Sequence, residues 1–124
     1  MQHGESHFQA QAVRMLRANG FYCFSVPNGA QLKLTQARAA KAEGMLAGVS
    51  DLVILLPKGR TVFVEFKNPN GKGRQSPPQR EFEENIRALG FEYILWNAWT
   101  QVEAFINGRR EEVKEDLKIG GTEE

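Results

Sequence analysis

Asp51, Glu65 and Lys67 are the residues of this chain whose types and spacing could do chemistry. Two carboxylates and an ammonium brought together at one end of a sheet form a costly arrangement. Charges taken out of water need partners or a metal. Carboxylate oxygens, joined by the backbone carbonyl of Phe66, are hard ligands suited to Mg²⁺ or Mn²⁺. Such ions keep several waters and take further ligands from substrate phosphate. The ion would acidify a water and polarise a phosphoryl oxygen. Lys67 would stabilise developing charge or hold the attacking water. The implied reaction is hydrolysis of a phosphodiester. The bland alternative is a surface hairpin with solvated charges.

The elements that must position these residues are two strands. Leu52–Leu56 and Thr61–Val64 are nearly all apolar, and Pro57-Lys58-Gly59-Arg60 between them reads as a tight turn. Folding the hairpin about Lys58-Gly59 returns Asp51 to the Glu65-Phe66-Lys67 end. Glu65 and Lys67 are two residues apart, so they leave the strand from one face.

Around this hairpin the chain reads as one small α/β domain. A first helix over Glu5–Asn19 stops at Gly20, and Phe21–Val26 is a strand ended by Pro27-Asn28-Gly29. A second helix over Thr35–Glu43 has Thr35 as its expected N-cap and Gly44 as its end. Asn68–Gly73 is a turn-rich loop, and Ser76 caps a helix from Pro77 to Leu89. Tyr93–Trp96 is a short strand, and Trp99–Ile106 a last helix. The expected domain is 1–110, with 111–124 a frayed or disordered tail. The crossover through the Pro77 helix predicts a parallel last strand beside the antiparallel hairpin, hence a mixed sheet flanked by helices.

The run Lys41-Ala42-Glu43-Gly44-Met45-Leu46-Ala47-Gly48-Val49-Ser50-Asp51-Leu52-Val53-Ile54 resembles the virus-type replication-repair nuclease (VRR-NUC) family. So do Val64-Glu65-Phe66-Lys67 and Gly73-Arg74-Gln75-Ser76-Pro77-Pro78-Gln79 with the helix that follows. The resemblance runs from about Glu5 to Phe105. It implies the restriction-endonuclease-like core αβββαβ of the PD-(D/E)xK superfamily, with an inserted helix. Ser50 stands where that superfamily usually has proline, leaving the backbone before Asp51 less pre-set.

The resemblance also implies site residues: Asp51, Glu65 and the Phe66 carbonyl on the metal, Lys67 in catalysis, and Gln79 orienting water or a phosphate oxygen. A glutamate from the first helix often approaches the metal in such nucleases, which draws in Glu5; an acid near a helix N-terminus is favourable without that role. Candidate DNA contacts are Asn28, Lys72, Arg74, Ser76 and Arg80. Each also has a plain reading as a turn residue, a helix cap or a solvated charge. Small stand-alone members of the family act as homodimers on Holliday junctions, and a two-fold dimer suits a two-fold junction. A flap- or duplex-cutting repair or restriction-like nuclease, and a DNA-binding module without catalysis, are the alternatives.

Net charge is only +1, but between Asn28 and Arg80 nine basic residues face three acids, an excess of six. A basic surface around an acidic site is what a phosphate backbone requires. No Gly-rich loop with Lys-Ser or Lys-Thr is present, so no nucleotide cofactor is expected. His3 and His7 lack the glutamate of a zincin pattern. Cys23, the single cysteine, sits in an aromatic run and reads as a core thiol. Trp96 and Trp99 read first as core residues. No membrane span and no signal peptide are expected, which places the chain in the cytoplasm of a bacterial or phage-infected cell.

Overall fold

The computed structural model describes residues 2–27, 32–71 and 73–113. Its elements are α1 (Gln2–Ala18), β1 (Tyr22–Ser25), α2 (Leu34–Ala42), β2 (Leu52–Leu56), β3 (Arg60–Phe66), α3 (Pro77–Ala88), β4 (Glu92–Trp96) and α4 (Trp99–Arg109). Short 3₁₀ turns follow β2 at Pro57–Gly59 and α4 at Arg110–Glu112. The sheet order is β1-β2-β3-β4, antiparallel across β1, β2 and β3 and parallel between β3 and β4. The mixed sheet follows from the connections. A tight turn permits only an antiparallel neighbour, whereas the helical crossover through α3 returns the chain parallel to β3.

Alternation along β2 and β3 divides the two faces. Leu52, Ile54 and Leu56 join Val62, Val64 and Phe66 in the main core. That face is covered by α1 through Phe8, Ala12 and Leu16 and by α4 through Val102, Phe105 and Ile106. Phe66 sits edge-on to both Phe8 and Trp96, with ring centroids 5.5 and 5.7 Å away. Burying a side chain of that size stabilises the fold by about 1.5–3 kcal/mol. The opposite face carries a smaller cluster, Phe82 and Ile86 from α3 against Tyr93 and Phe63. On the same face, at the strand ends, stand Asp51 and Glu65.

Several boundaries differ from the sequence reading. Helix α1 begins at Gln2, which puts Glu5 inside its first turn. Helix α2 is capped at Lys33, not Thr35, because the Gln36 side chain accepts the Lys33 N–H at 2.9 Å and draws the helix start upstream. Packing also continues beyond residue 110: Val113 lies against the main core. Cys23 and Trp96 are core residues, as expected, and burial raises the Cys23 thiol pKa. Among the described residues no helix is long and apolar enough to cross a membrane.

Candidate active site

The antiparallel register pairs Leu52 with Val64. One step further along, Asp51 stands opposite Glu65, so the two carboxylates are cross-strand neighbours on the α3 face. The Phe66 N–H donates to Oδ2 of Asp51 at 2.8 Å, fixing the side chain at the strand end. In a strand the N–H and C=O of one residue leave on the same edge, which sets the Phe66 carbonyl on the Asp51 side. The Lys67 N–H goes the other way, to the Trp96 carbonyl at 2.8 Å. The sequence-level folding of the hairpin thus brings Asp51, Glu65, Phe66 and Lys67 together.

Glu65 is 1% exposed and Lys67 9% exposed, unusual burial for such side chains. Lys67 Nζ lies 3.0 Å from Oε2 of Glu65. Two further partners hold it: the Arg74 carbonyl at 2.9 Å and Oε1 of Gln79 at 3.1 Å. With two of three N–H groups committed, the ammonium is aimed and one donor remains toward the Glu65 side. The glutamate's Oε2 is buried and, among the described residues, has the ion pair but no hydrogen bond. Its Oε1 accepts from the Tyr93 hydroxyl and, at 3.1 Å, from Gln75 Nε2.

Burial raises the Asp51 pKa above its ordinary 3.8; the Phe66 N–H lowers it, the charges of Glu65 and Glu5 raise it, and Lys67 lowers it. The site therefore concentrates negative charge that a cation would relieve. Glu5 comes near from α1, whose first turn packs on the loop after Lys67: a Cβ on Gly4 would lie 3.1 Å from Asn68 Nδ2. Among the described residues, however, no three His, Cys, Asp or Glu side chains converge as a ligand group, so Glu5 borders the pair without joining it. The donor set fits a Mg²⁺-like ion better than a full protein cage. It offers the carboxylates of Asp51 and Glu65, the latter through its orphaned buried Oε2, and a strand-end carbonyl, with water and substrate to complete the shell.

Gln79 is placed beside the site, bonded to Lys67 and to Ser76. Its Oε1 accepts the Ser76 N–H at 2.8 Å as well as the Lys67 ammonium, while its own N–H donates to Ser76 Oγ at 3.3 Å. Ser76 is thus the helix cap and Gln79 the link from that cap to Lys67. The loop before Asp51 presses on the same helix start. A Cβ on Gly48, whose φ is +86°, would fall 2.2 Å from the Pro78 carbonyl oxygen. Arg74 reaches Lys67 through its backbone, and its side chain is exposed. Arg80 is exposed and donates to the Gln75 carbonyl at 2.9 Å. Asn28 and Lys72 lie outside the described residues. Ser50, in the place of proline, is buried and its hydroxyl reaches the Leu52 carbonyl at 3.4 Å.

The basic run of the sequence divides in space. Lys58 and Arg60 sit at the far end of the hairpin, roughly 20 Å from Phe66 along a strand rising about 3.3 Å per residue, and Arg60 pairs with Glu112. Gln75, Glu83 and Tyr93 were missed by sequence reasoning. The available signal was the odd-numbered face of β3, which Tyr93 shares once its pairing with Phe63 is known.

The model of the VRR-NUC domain family matches residues 9–99. The chain belongs to the VRR-NUC family. This is a nuclease domain family, and Asp51, Glu65 and Lys67 all fall within the matched segment. Two solved structures share the VRR-NUC fold. One, described as a VRR_NUC domain, has a TM-score of 0.62 at 24% identity, covering 84% of this chain and 95% of its own. The other, a VRR_NUC domain protein, has a TM-score of 0.69 at 20% identity, covering 90% and 91%. The four-stranded mixed sheet flanked by helices is consistent with the PD-(D/E)xK-like fold. Comparison with curated proteins gave no match.

Proposed function

We propose that this VRR-NUC chain is a Mg²⁺- or Mn²⁺-dependent, structure-selective DNA endonuclease that acts as a homodimer on four-way junctions. One observation carries the reading. A buried glutamate with an oxygen lacking a hydrogen bond sits opposite Asp51 and 3.0 Å from the Lys67 ammonium. Evolving such a group has an energetic cost that a bound cation and an anionic substrate would offset. Asp51, Glu65 and the Phe66 carbonyl hold the ion, with Glu5 adding negative charge from α1. When bound, the ion supplies Lewis acidity toward a phosphoryl oxygen and lowers the pKa of a water.

The protein's own share is orientation. Arg74 and Gln79 aim Lys67, whose third N–H, on the Glu65 side, would hold the attacking water or a phosphoryl oxygen in the transition state. The start of α3 at Ser76, with Arg74, Arg80, Lys72 and Asn28, contacts the backbone of the strand being cut. A two-fold dimer would set two such sites on a two-fold junction.

Labelled four-way junction, flap and linear duplex incubated with Mg²⁺, Mn²⁺ or EDTA test this on one gel. Paired symmetric nicks on the junction, lost in EDTA, are the expected result. Cutting chiefly of flap or duplex would keep the nuclease and discard the junction. No cutting of any substrate with either metal would contradict the nuclease reading.

A further inference from the structure

The two oxygens of Glu65 are treated differently. Oε2 faces Lys67 without a hydrogen bond, whereas Oε1 accepts from both the Tyr93 hydroxyl and Gln75 Nε2. Those donors are themselves anchored. Gln75 Nε2 is 2.9 Å from Oε1 of Glu83 and 3.4 Å from the Tyr93 oxygen. Glu83 is tied to Arg87 Nε at 2.8 Å, and Arg87 Nη2 reaches back to the Tyr93 carbonyl at 3.1 Å. The Arg87 guanidinium also lies over the Tyr93 ring, 5.6 Å from its centroid, with Phe82 on the α3 side.

We propose that Tyr93 and Gln75 are positioning residues that clamp Oε1 of Glu65, so that the glutamate offers a divalent cation one oxygen, Oε2, and not both. The proposal rests on the metal-dependent reading above. Two donors fill the two lone-pair directions of Oε1. Turning the carboxylate to present both oxygens would break the Tyr93 bond and leave a buried hydroxyl unpaired, at a cost of about 1–3 kcal/mol for such a group. Tyr93 is 3% exposed, so its hydroxyl has no access to water in place of Glu65.

A single offered oxygen has a chemical consequence. Mg²⁺ and Mn²⁺ sit in near-octahedral shells and accept one oxygen per carboxylate, whereas the larger Ca²⁺ readily takes both. The clamp discriminates against Ca²⁺ by denying it the second oxygen. Outer-shell partners of metal-ligating groups elsewhere contribute about 10–100-fold in metal affinity.

The test is calorimetric titration of the full chain, without DNA, using MnCl₂, MgCl₂ and CaCl₂. Wild type, Tyr93→Phe, Gln75→Leu and Glu65→Gln are compared, each with a thermal melt. Tyr93→Phe is expected to lose about tenfold in Mn²⁺ affinity while Ca²⁺ affinity holds or rises, so the Ca²⁺/Mn²⁺ affinity ratio rises several-fold. Gln75→Leu, at a half-buried position, should move the ratio the same way by less, and stands alone if Tyr93→Phe does not fold. An unchanged ratio in the folded variants overturns the clamp, including when all three cations weaken equally, which would mark a structural role only. Wild type that binds no Mn²⁺, or Glu65→Gln that binds as well as wild type, overturns the metal-centre reading itself.

Discussion

At one end of the β2–β3 hairpin, Lys58 and Arg60 stand in water around a turn with positive φ at Lys58 and Gly59. At the other end, Asp51, Glu65 and Lys67 also bring charged side chains to the strand ends, yet Glu65 and Lys67 are buried. The strands between them are the same strands. What differs is the cover. The turn end has only an ion pair from Arg60 to Glu112, between half-exposed side chains. The site end is roofed by the start of α3, the loop around Gly73 and the loop at Gly48, which place Gln75, Gln79 and the Arg74 carbonyl over the charges. Charge at a strand end becomes chemistry when neighbouring backbone and amides hold it in one geometry. An exposed pair of similar residues contributes about 0–1 kcal/mol and is screened by salt.

The strongest way to break this contrast is at Asp51. Asp51→Asn keeps an oxygen for the Phe66 N–H but removes the charge, and cleavage should fall by about 10²–10³-fold or more. The sign of the stability effect is opposite to that of the activity. A carboxyl whose folded pKa is raised stabilises the fold below its unfolded pKa, and that contribution is lost as pH rises through the raised value. At pH 7 the metal-free melting temperature of Asp51→Asn should therefore equal or exceed that of wild type. Added Mn²⁺ should stabilise wild type and not the variant, and the wild-type gain should shrink as pH falls into the raised range of Asp51. A lower metal-free melting temperature in Asp51→Asn would contradict the account of its burial.

Gly48→Ala attacks the roof and not the charges. Its new Cβ would collide with the Pro78 carbonyl at a positive φ, and backbone cannot swing aside as a side chain can. A loss of about 1–3 kcal/mol is expected from overpacking alone, read by urea denaturation, with cleavage reduced because Asp51 and Gln79 move apart. Ser76→Ala is milder: loss of the cap should remove about 1 kcal/mol and loosen Gln79, seen as a partial loss of turnover in single-turnover assays. At the other end of the hairpin, Lys58→Ala and Arg60→Ala should each change stability by less than about 0.5 kcal/mol and leave cleavage within twofold. A tenfold loss from either would mean that the turn end takes part in function and that the contrast is wrong.

Much of the site was legible because its residues border strands whose apolar pattern announces them. Asp51 and the Glu65-Phe66-Lys67 run fall at hairpin ends, and alternation alone puts Glu65 and Lys67 on one face. Ser76 and Gln79 follow the spacing of a capping box before a helix that opens with two prolines. The parallel last strand followed from the crossover. What sequence could not supply was the second layer. Tyr93 reaches Glu65 only through the β3–β4 register, and Gln75 only through the path of the loop into α3. Arg74 holds Lys67 with a carbonyl, which residue type does not encode. The basic excess between Asn28 and Arg80 misled in part, since a hairpin sends neighbours in sequence to opposite ends of a sheet.

The central claim is that Lys67 acts in the chemistry of a metal site formed by Asp51 and Glu65. Single-turnover cleavage and Mn²⁺ titration of Lys67→Ala, beside wild type, test it together. Cleavage reduced by about 10²–10³-fold, with Mn²⁺ still bound and the protein folded, is the predicted result. Cleavage at the wild-type rate would contradict the account.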